Sequence, residues 1–175
     1  FIIGGSGWTN RSCSKFQNFI NQNNIPVATS FRRQDLFDHK NENFAGSFGT
    51  SVSPKLIDST KNSDLIIVLG ARLGEMTTQG YSIISPQDIS KNIIHIHVDP
   101  NELNKVYNAN VCINVGVNEC CDKLEELTLD NSNRWKQWRD ELNKNYLDDS
   151  KPQKNRNINN LSEIFEIVEK KFPTN

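Results

Sequence analysis

What this 175-residue chain lacks narrows its class before any motif is read. It lacks an excess charge of either sign: 20 basic side chains stand against 21 acidic ones, a formal net charge of −1. Nucleic acid and anionic membrane surfaces both require a basic face, so neither has an electrostatic case. Long apolar runs are missing too, and none nears the roughly 18 residues that would span a bilayer. Core material is somewhat scarce, with 35% hydrophobic residues and a mean hydropathy of −0.61. Counting the glycines raises the apolar share to about 40%, against ~45–50% in ordinary soluble domains. That suffices for one domain of the usual ~100–200 residues, with a surplus of polar residues to place.

Cysteine pairing and catalytic groupings are missing as well. Cys13, Cys112, Cys120 and Cys121 form no C-x-x-C pair, and neighbouring Cys120 and Cys121 on a helix do not close a structural bridge. All four read as small buried hydrophobes in a reducing, cytoplasmic setting. His95 and His97 alternate with Ile94, Ile96 and Val98 and so share one strand face; without a third ligand nearby they make no metal site. No serine or cysteine lines up with a histidine base, and no carboxylate pair sits isolated in an apolar run. Phe1 opens inside an apolar run with no methionine, which reads as a piece excised from a longer polypeptide. The lack of a signal peptide then carries no weight.

What is present is an alternation of short apolar runs and helix-like segments, the pattern of a Rossmann-like α/β fold: an open, mainly parallel sheet with helices on both faces, followed by C-terminal connector helices. Phe1-Ile2-Ile3 breaks into Gly4-Gly5-Ser6-Gly7, and Phe16, Phe19 and Ile20 then recur at helical spacing. A second strand begins at Ile25. Residues 30–53 read as long surface loops, and Ser53-Pro54 as a helix start with Ser53 as its cap. Residues 64–70 form the clearest buried strand, and residues 92–100 another. A short helix carrying Leu103 and Val106, a strand at 111–114 and a helix over 118–127 complete the alternation. Trp135, Trp138, Leu142 and Tyr146 mark one later helix. Leu161, Ile164, Phe165 and Val168 mark a second, behind an Asn160-x-x-Glu163 capping box. Residues 148–160, with Ile158 as their one aliphatic, read as a linker.

Three strand ends carry possible chemistry. Gly4-Gly5-Ser6-Gly7 stands between a strand and a helix, where backbone N–H groups suit an anion; it is also what a tight turn without a ligand would need. Arg72, in Gly70-Ala71-Arg72-Leu73-Gly74-Glu75, is placed either to pair with a phosphate or carboxylate or to bridge Glu75 or a neighbouring acid. Asp99 could contact a ribose, but capping the helix that opens at Pro100 is the better reading. Arg32 and Arg33, with Asp35, Asp38 and His39, read as a solvated loop.

Several phrases together resemble the middle domain of thiamine-diphosphate-dependent enzymes of the acetolactate synthase group: I-I-G-G-S-G-W, P-V-A-T-S-F, N-F-A-G-S-F-G, S-D-L-I-I-V-L-G-A-R-L-G-E and I-H-V-D-P-N-E-L-N-K. The resemblance implies a central Rossmann-like domain over 1–129, a connector helix and linker over 130–160, and the start of a C-terminal diphosphate-binding domain over 161–175. It implies an enzyme that binds thiamine diphosphate and magnesium outside this chain, works as a homo-oligomer with N- and C-terminal domains on the same polypeptide, and joins or decarboxylates 2-oxo acids. The G-D-G magnesium motif of the C-terminal domain is absent here, so the piece alone should be inactive. Relatives hold FAD or an ADP-type nucleotide in this domain, which makes Gly4, Gly5, Ser6, Gly70, Arg72 and Val98 the candidate pocket residues. Flavin binders continue G-x-R-F-D-D-R, whereas Gly74 and Met76 replace the first Asp and the last Arg here. Their M-H-G becomes Ser47-Phe48-Gly49, and their final G-D becomes Gly116-Val117. These losses weigh against FAD, and leave a different nucleotide or none. Other readings are a free-standing dinucleotide-binding module of the same fold and a purely architectural domain with a vacant turn.

Overall fold

The computed structural model describes residues 1–87, 90–130, 133–151 and 161–172, without the side chains of residues 161 and 162. Among these residues the sheet has six strands: β1 (Ile2–Ile3), β2 (Val27–Thr29), β3 (Phe44–Ser47), β4 (Leu65–Leu69), β5 (Asn92–His97) and β6 (Val111–Asn114). Their spatial order is β3-β2-β1-β4-β5-β6, and every pairing is parallel. The helices are α1 (Asn10–Asn23), α2 (Pro54–Asn62), α3 (Val117–Glu125), α4 (Lys136–Asp149) and α5 (Leu161–Lys171). This is the open Rossmann-like architecture expected from the alternating pattern.

Strand periodicity divides the core into two layers. Ile2, Ala28, Ala45, Ile66, Val68 and Ile93 face Leu56 of α2 and Leu142 of α4. Ile3, Val27, Phe44, Leu69 and Ile96 face Phe16, Phe19 and Ile20 of α1, and Val117 and Cys121 of α3. The α1–α3 pair is tied at its surface by Lys15, which bridges Asp122 and Glu125.

Residues 30–53 depart from the loop reading. They contain β3 and a turn of 3-10 helix at Gln34–Leu36, and bury Leu36, Phe37, Phe44, Ala45 and Phe48. Phe44-Ala45-Gly46-Ser47 is too short and too poor in β-branched residues to announce a strand. Its pairing is secured by tertiary contacts instead. Gly46, at φ +122°, lets Leu56 and Tyr146 close over the sheet, and the Asn143 side-chain amide donates to the carbonyls of Asn41 and Phe44. The edge at β3 is thus covered by α4, whereas β6 lies exposed at the other edge.

Smaller corrections follow the same logic. Cys112, expected to be buried, is exposed on β6, while Cys13 and Cys120 are half-buried and Cys121 is buried. The short helix expected around Leu103 and Val106 is one 3-10 turn at Pro100–Glu102, and Val106 is exposed. Ser53 precedes α2 as expected, but its hydroxyl makes no cap bond and donates to Asp149 of α4 instead. In α5, Ile164, Phe165, Ile167 and Val168 are all exposed. Residues 131, 132 and 152–160, with Asn160 of the expected capping box, lie outside the described residues, as do residues 173–175.

Candidate functional site

Strand order decides where a site can lie. β1 and β4 are neighbours, and the chain runs from β1 outward to β2 and β3 but from β4 outward to β5 and β6. The crossovers therefore diverge above the carboxyl ends of β1 and β4 and leave a crevice, the usual ligand position of an open α/β sheet. A cleft of about 1010 Å³ opens there. Its walls are the Gly5–Gly7 turn after β1, Ser30, Phe31 and Arg33 after β2, the Gly70–Thr77 segment after β4, His97–Asp99 after β5, and Gly116–Glu119 at the start of α3.

Five of the six candidate pocket residues meet in this cleft: Gly5, Ser6, Gly70, Arg72 and Val98. Gly4 is not among its lining residues. It lies where a methyl group would stand 1.9 Å from Ser30 Oγ, and its carbonyl accepts a hydrogen bond from Trp8 Nε1 at 2.8 Å. Val98 is 62% exposed and offers the cleft only an apolar rim. Ser30, Phe31, Arg33, His97, Asn118 and Glu119 also line the cleft and were not among the candidates. The strand-end rule, applied to the ends of β2 and β6 as well, is the signal that would have reached Ser30, Phe31, Arg33, Asn118 and Glu119, whereas His97 ends β5, a strand end already read.

The glycines answer to the protein's own backbone. Gly5 and Gly70 both adopt φ +71°, and a methyl group on Gly5 would stand 1.8 Å from the Gly70 carbonyl oxygen. This packing locks the ends of β1 and β4 together. Gly74 also lines the cleft, but an added methyl group would meet nothing within 4 Å.

The charged groups are largely engaged with one another. Arg33 grips Asp35 through two bonds of 3.0 Å, and this contact holds the Asp35 carboxyl below its ordinary value. Arg72 Nε stands 3.7 Å from Glu102 Oε1, so its acidic neighbour is Glu102 rather than Glu75. Glu102 also accepts from Lys105 at 2.9 Å; that bond, helped by the charges of Lys105 and Arg72, lowers its carboxyl. Asp99 caps the Pro100 turn as read, accepting from the Asn101 N–H at 3.0 Å. Bonds from the Asn101 backbone and side chain lower its carboxyl.

His95 and His97 share a strand face, with ring centroids 6.0 Å apart. His97 Nδ1 stands 3.1 Å from the Asp99 backbone nitrogen and 3.2 Å from the Asp99 carbonyl oxygen, so the ring is held against the turn that follows β5. His95 is buried, and its Nε2–H donates to the Ala71 carbonyl at 3.0 Å. Burial pushes its imidazole below the ordinary value, partly opposed by that hydrogen bond. An unfolded chain would take up this proton near the ordinary pH of about 6.5, whereas the folded chain resists it. Stability is therefore full above that pH and falls as pH drops through it. Urea midpoints are expected to fall between about pH 7.5 and about pH 5.5, and to fall less in His95→Asn. Equal falls in both proteins would exclude His95 as a source.

Among the described residues, no group of three or more His, Cys, Asp or Glu could hold a metal ion. The cleft offers hydrogen-bonding groups and paired charges, without a nucleophile poised against a base.

Comparison with known proteins agrees with this architecture. The family described as "Thiamine pyrophosphate enzyme, central domain" matches residues 1–124. The acetolactate synthase large subunit of Corynebacterium glutamicum is 25% identical over 126 residues, covering 72% of this chain and 20% of that protein. The corresponding subunit of Haemophilus influenzae is 25% identical over 104 residues, covering 59% of this chain and 18% of that protein. The acetolactate synthase of Mycobacterium avium is 24% identical over 125 residues, covering 71% and 20%. The chain thus spans about a fifth of the length of these relatives. With the family pattern running from β1 into α3, the chain belongs to the thiamine pyrophosphate enzyme central domains.

Proposed function

We propose that this chain is the non-catalytic central domain of a thiamine-diphosphate- and magnesium-dependent enzyme that joins or decarboxylates 2-oxo acids, in the manner of acetolactate synthase. The observation that carries the proposal is the family match over 1–124 together with relatives named acetolactate synthase. Thiamine diphosphate would supply the carbanion chemistry from sites outside this chain. The residues here would hold the frame on which neighbouring domains of the same polypeptide sit, in a cytoplasmic homo-oligomer. The exposed apolar side chains of α5 support a role for residues 161–175 at the start of a following domain.

The test is turnover of pyruvate with thiamine diphosphate and Mg²⁺, measured by released CO₂ and by acetolactate formed. The 175-residue chain alone is expected to give none, and a polypeptide that carries it together with both flanking domains is expected to give both products. Turnover by the chain alone would place catalytic machinery within it. A folded three-domain polypeptide inactive on pyruvate and on longer 2-oxo acids would overturn the substrate class.

A further inference from the structure

A switch-point cleft with a glycine turn is where Rossmann-like folds cradle a diphosphate, using the first helix N-terminus, close-approach glycines and nearby cations. We propose that this cleft excludes nucleoside diphosphates and anionic dinucleotides, because the chain caps its first helix with its own side chains, fills the space beside Gly5 and sets carboxylates against the cleft's cations. The inference stands independently of the enzyme activity proposed above.

The first helix N-terminus is capped by the chain's own side chains. Thr9 Oγ1 accepts from the Ser12 N–H at 3.1 Å, and Ser12 Oγ accepts from the Thr9 N–H at 2.9 Å. This reciprocal box satisfies amides that a phosphate would otherwise meet. Asn118 of α3 then ties the turn across the cleft, donating to the Gly7 carbonyl at 2.9 Å and accepting from the Thr9 hydroxyl at 3.2 Å. Gly5 leaves no cradle at the end of β1, since the space beside it is filled by the Gly70 carbonyl.

The charges oppose a diphosphate as well. Both guanidinium groups of the cleft face carboxylates, Arg33 through the two-bond contact with Asp35 and Arg72 opposite Glu102. Three further carboxylates, Glu75, Asp99 and Glu119, line the walls. Glu119 folds back over the start of α3, so that a methyl group on Gly116 would stand 2.3 Å from Glu119 Oε2. Gly116 provides no side-chain cap, and the Glu119 carboxylate takes the position near the positive end of the helix dipole that a ligand anion would favour. A diphosphate entering here would meet more negative than positive charge in a partly desolvated space.

The experiment is an NMR amide-shift titration of the chain with ADP and, separately, with FAD, since amide shifts read millimolar as well as micromolar affinities. The expected result is no saturable change around Gly5–Gly7 and Gly116–Glu119 below millimolar ligand. Micromolar binding of either nucleotide at those amides would overturn the proposal, whatever the enzyme assay shows. Glu119→Gln keeps the side-chain shape and removes the charge, so it is expected to tighten ADP binding about tenfold. Glu75→Gln, at the cleft rim, is expected to change it less. Equal effects in the two variants, or none in Glu119→Gln, would remove Glu119 as the excluding residue. A dispersed spectrum of each variant establishes folding, and the unsubstituted chain decides the exclusion by itself.

Discussion

Replacing Gly5 by alanine is expected to cost more than about 4 kcal/mol, enough to unfold much of a domain whose total stability is typically ~5–15 kcal/mol. Two effects add. At φ +71° a side chain is strained before it meets any neighbour, worth about 1–3 kcal/mol for a left-handed non-glycine residue. The new methyl group would also stand 1.8 Å from the Gly70 carbonyl oxygen. That atom belongs to backbone and has no rotamer to yield. Relief would require parting the ends of β1 and β4, where Ile3 and Leu69 are fully buried and directly paired. Urea denaturation followed by far-UV circular dichroism is the measurement. Gly74→Ala is the matched control, because a methyl group there meets nothing within 4 Å; a change within about 0.5 kcal/mol is expected. If Gly5→Ala proved as stable as Gly74→Ala, the close packing of the β1 and β4 ends would be refuted.

Arg139→Ala is expected to cost about 3 kcal/mol, through a cavity in a packed region and lost bonds to a charged donor. Arg139 is only 1% exposed, the bulkiest of the fully buried side chains among the described residues. Its NH1 meets Glu42 at 2.8 Å and Asn43 Oδ1 at 3.4 Å, and its NH2 meets Asn24 Oδ1 at 3.3 Å. Nε stands 2.8 Å from Asp140 Oδ1 but off the hydrogen-bonding direction, an ion contact without a formed bond. Glu42 and Asp140 are well exposed, so water can solvate them once the arginine is gone, and the cost stays below that of stranding a buried charge. The loss falls on the joint between α4, the end of α1 and the loop before β3. Chemical denaturation reads the total, and Arg139→Met separates its parts. Recovery of most of the stability would assign the cost to packing of the stem. No recovery would assign it to the charged bonds with Asn24 and Asn43.

The contrast between these positions shows which features were legible along the chain. β4 and β5 could be read from Ile66, Val68, Ile93 and Ile96, because strands inside a parallel sheet are apolar wherever they are covered. α1 could be read from Phe16, Phe19 and Ile20, whose spacing is a property of the helix itself. β3 could not: a four-residue strand with a central glycine becomes a strand only when β2 pairs with it and α4 lies across it. Arg139 looks like any charged residue of an amphipathic helix until Asn24, Glu42 and Asn43, roughly a hundred positions earlier, close around it. Charge patterns along a chain do not report a partner brought in by folding.

The candidate cleft divides in the same way. Gly5, Ser6, Gly70, Arg72 and Val98 were legible because glycine turns and charged residues just after apolar runs mark strand ends in the sequence itself. Arg33, His97, Asn118 and Glu119 join them only through the sheet order, which sets five strand ends from distant parts of the chain around one crevice. The alternation of strands and helices, the two apolar faces and the near-neutral charge follow from local spacing or composition alone. Folding was needed to show that Gly5 serves Gly70 and that the cleft's cations already face carboxylates. Both are distances between residues far apart along the chain, set by packing β1 against β4 and α3 against the β1 turn.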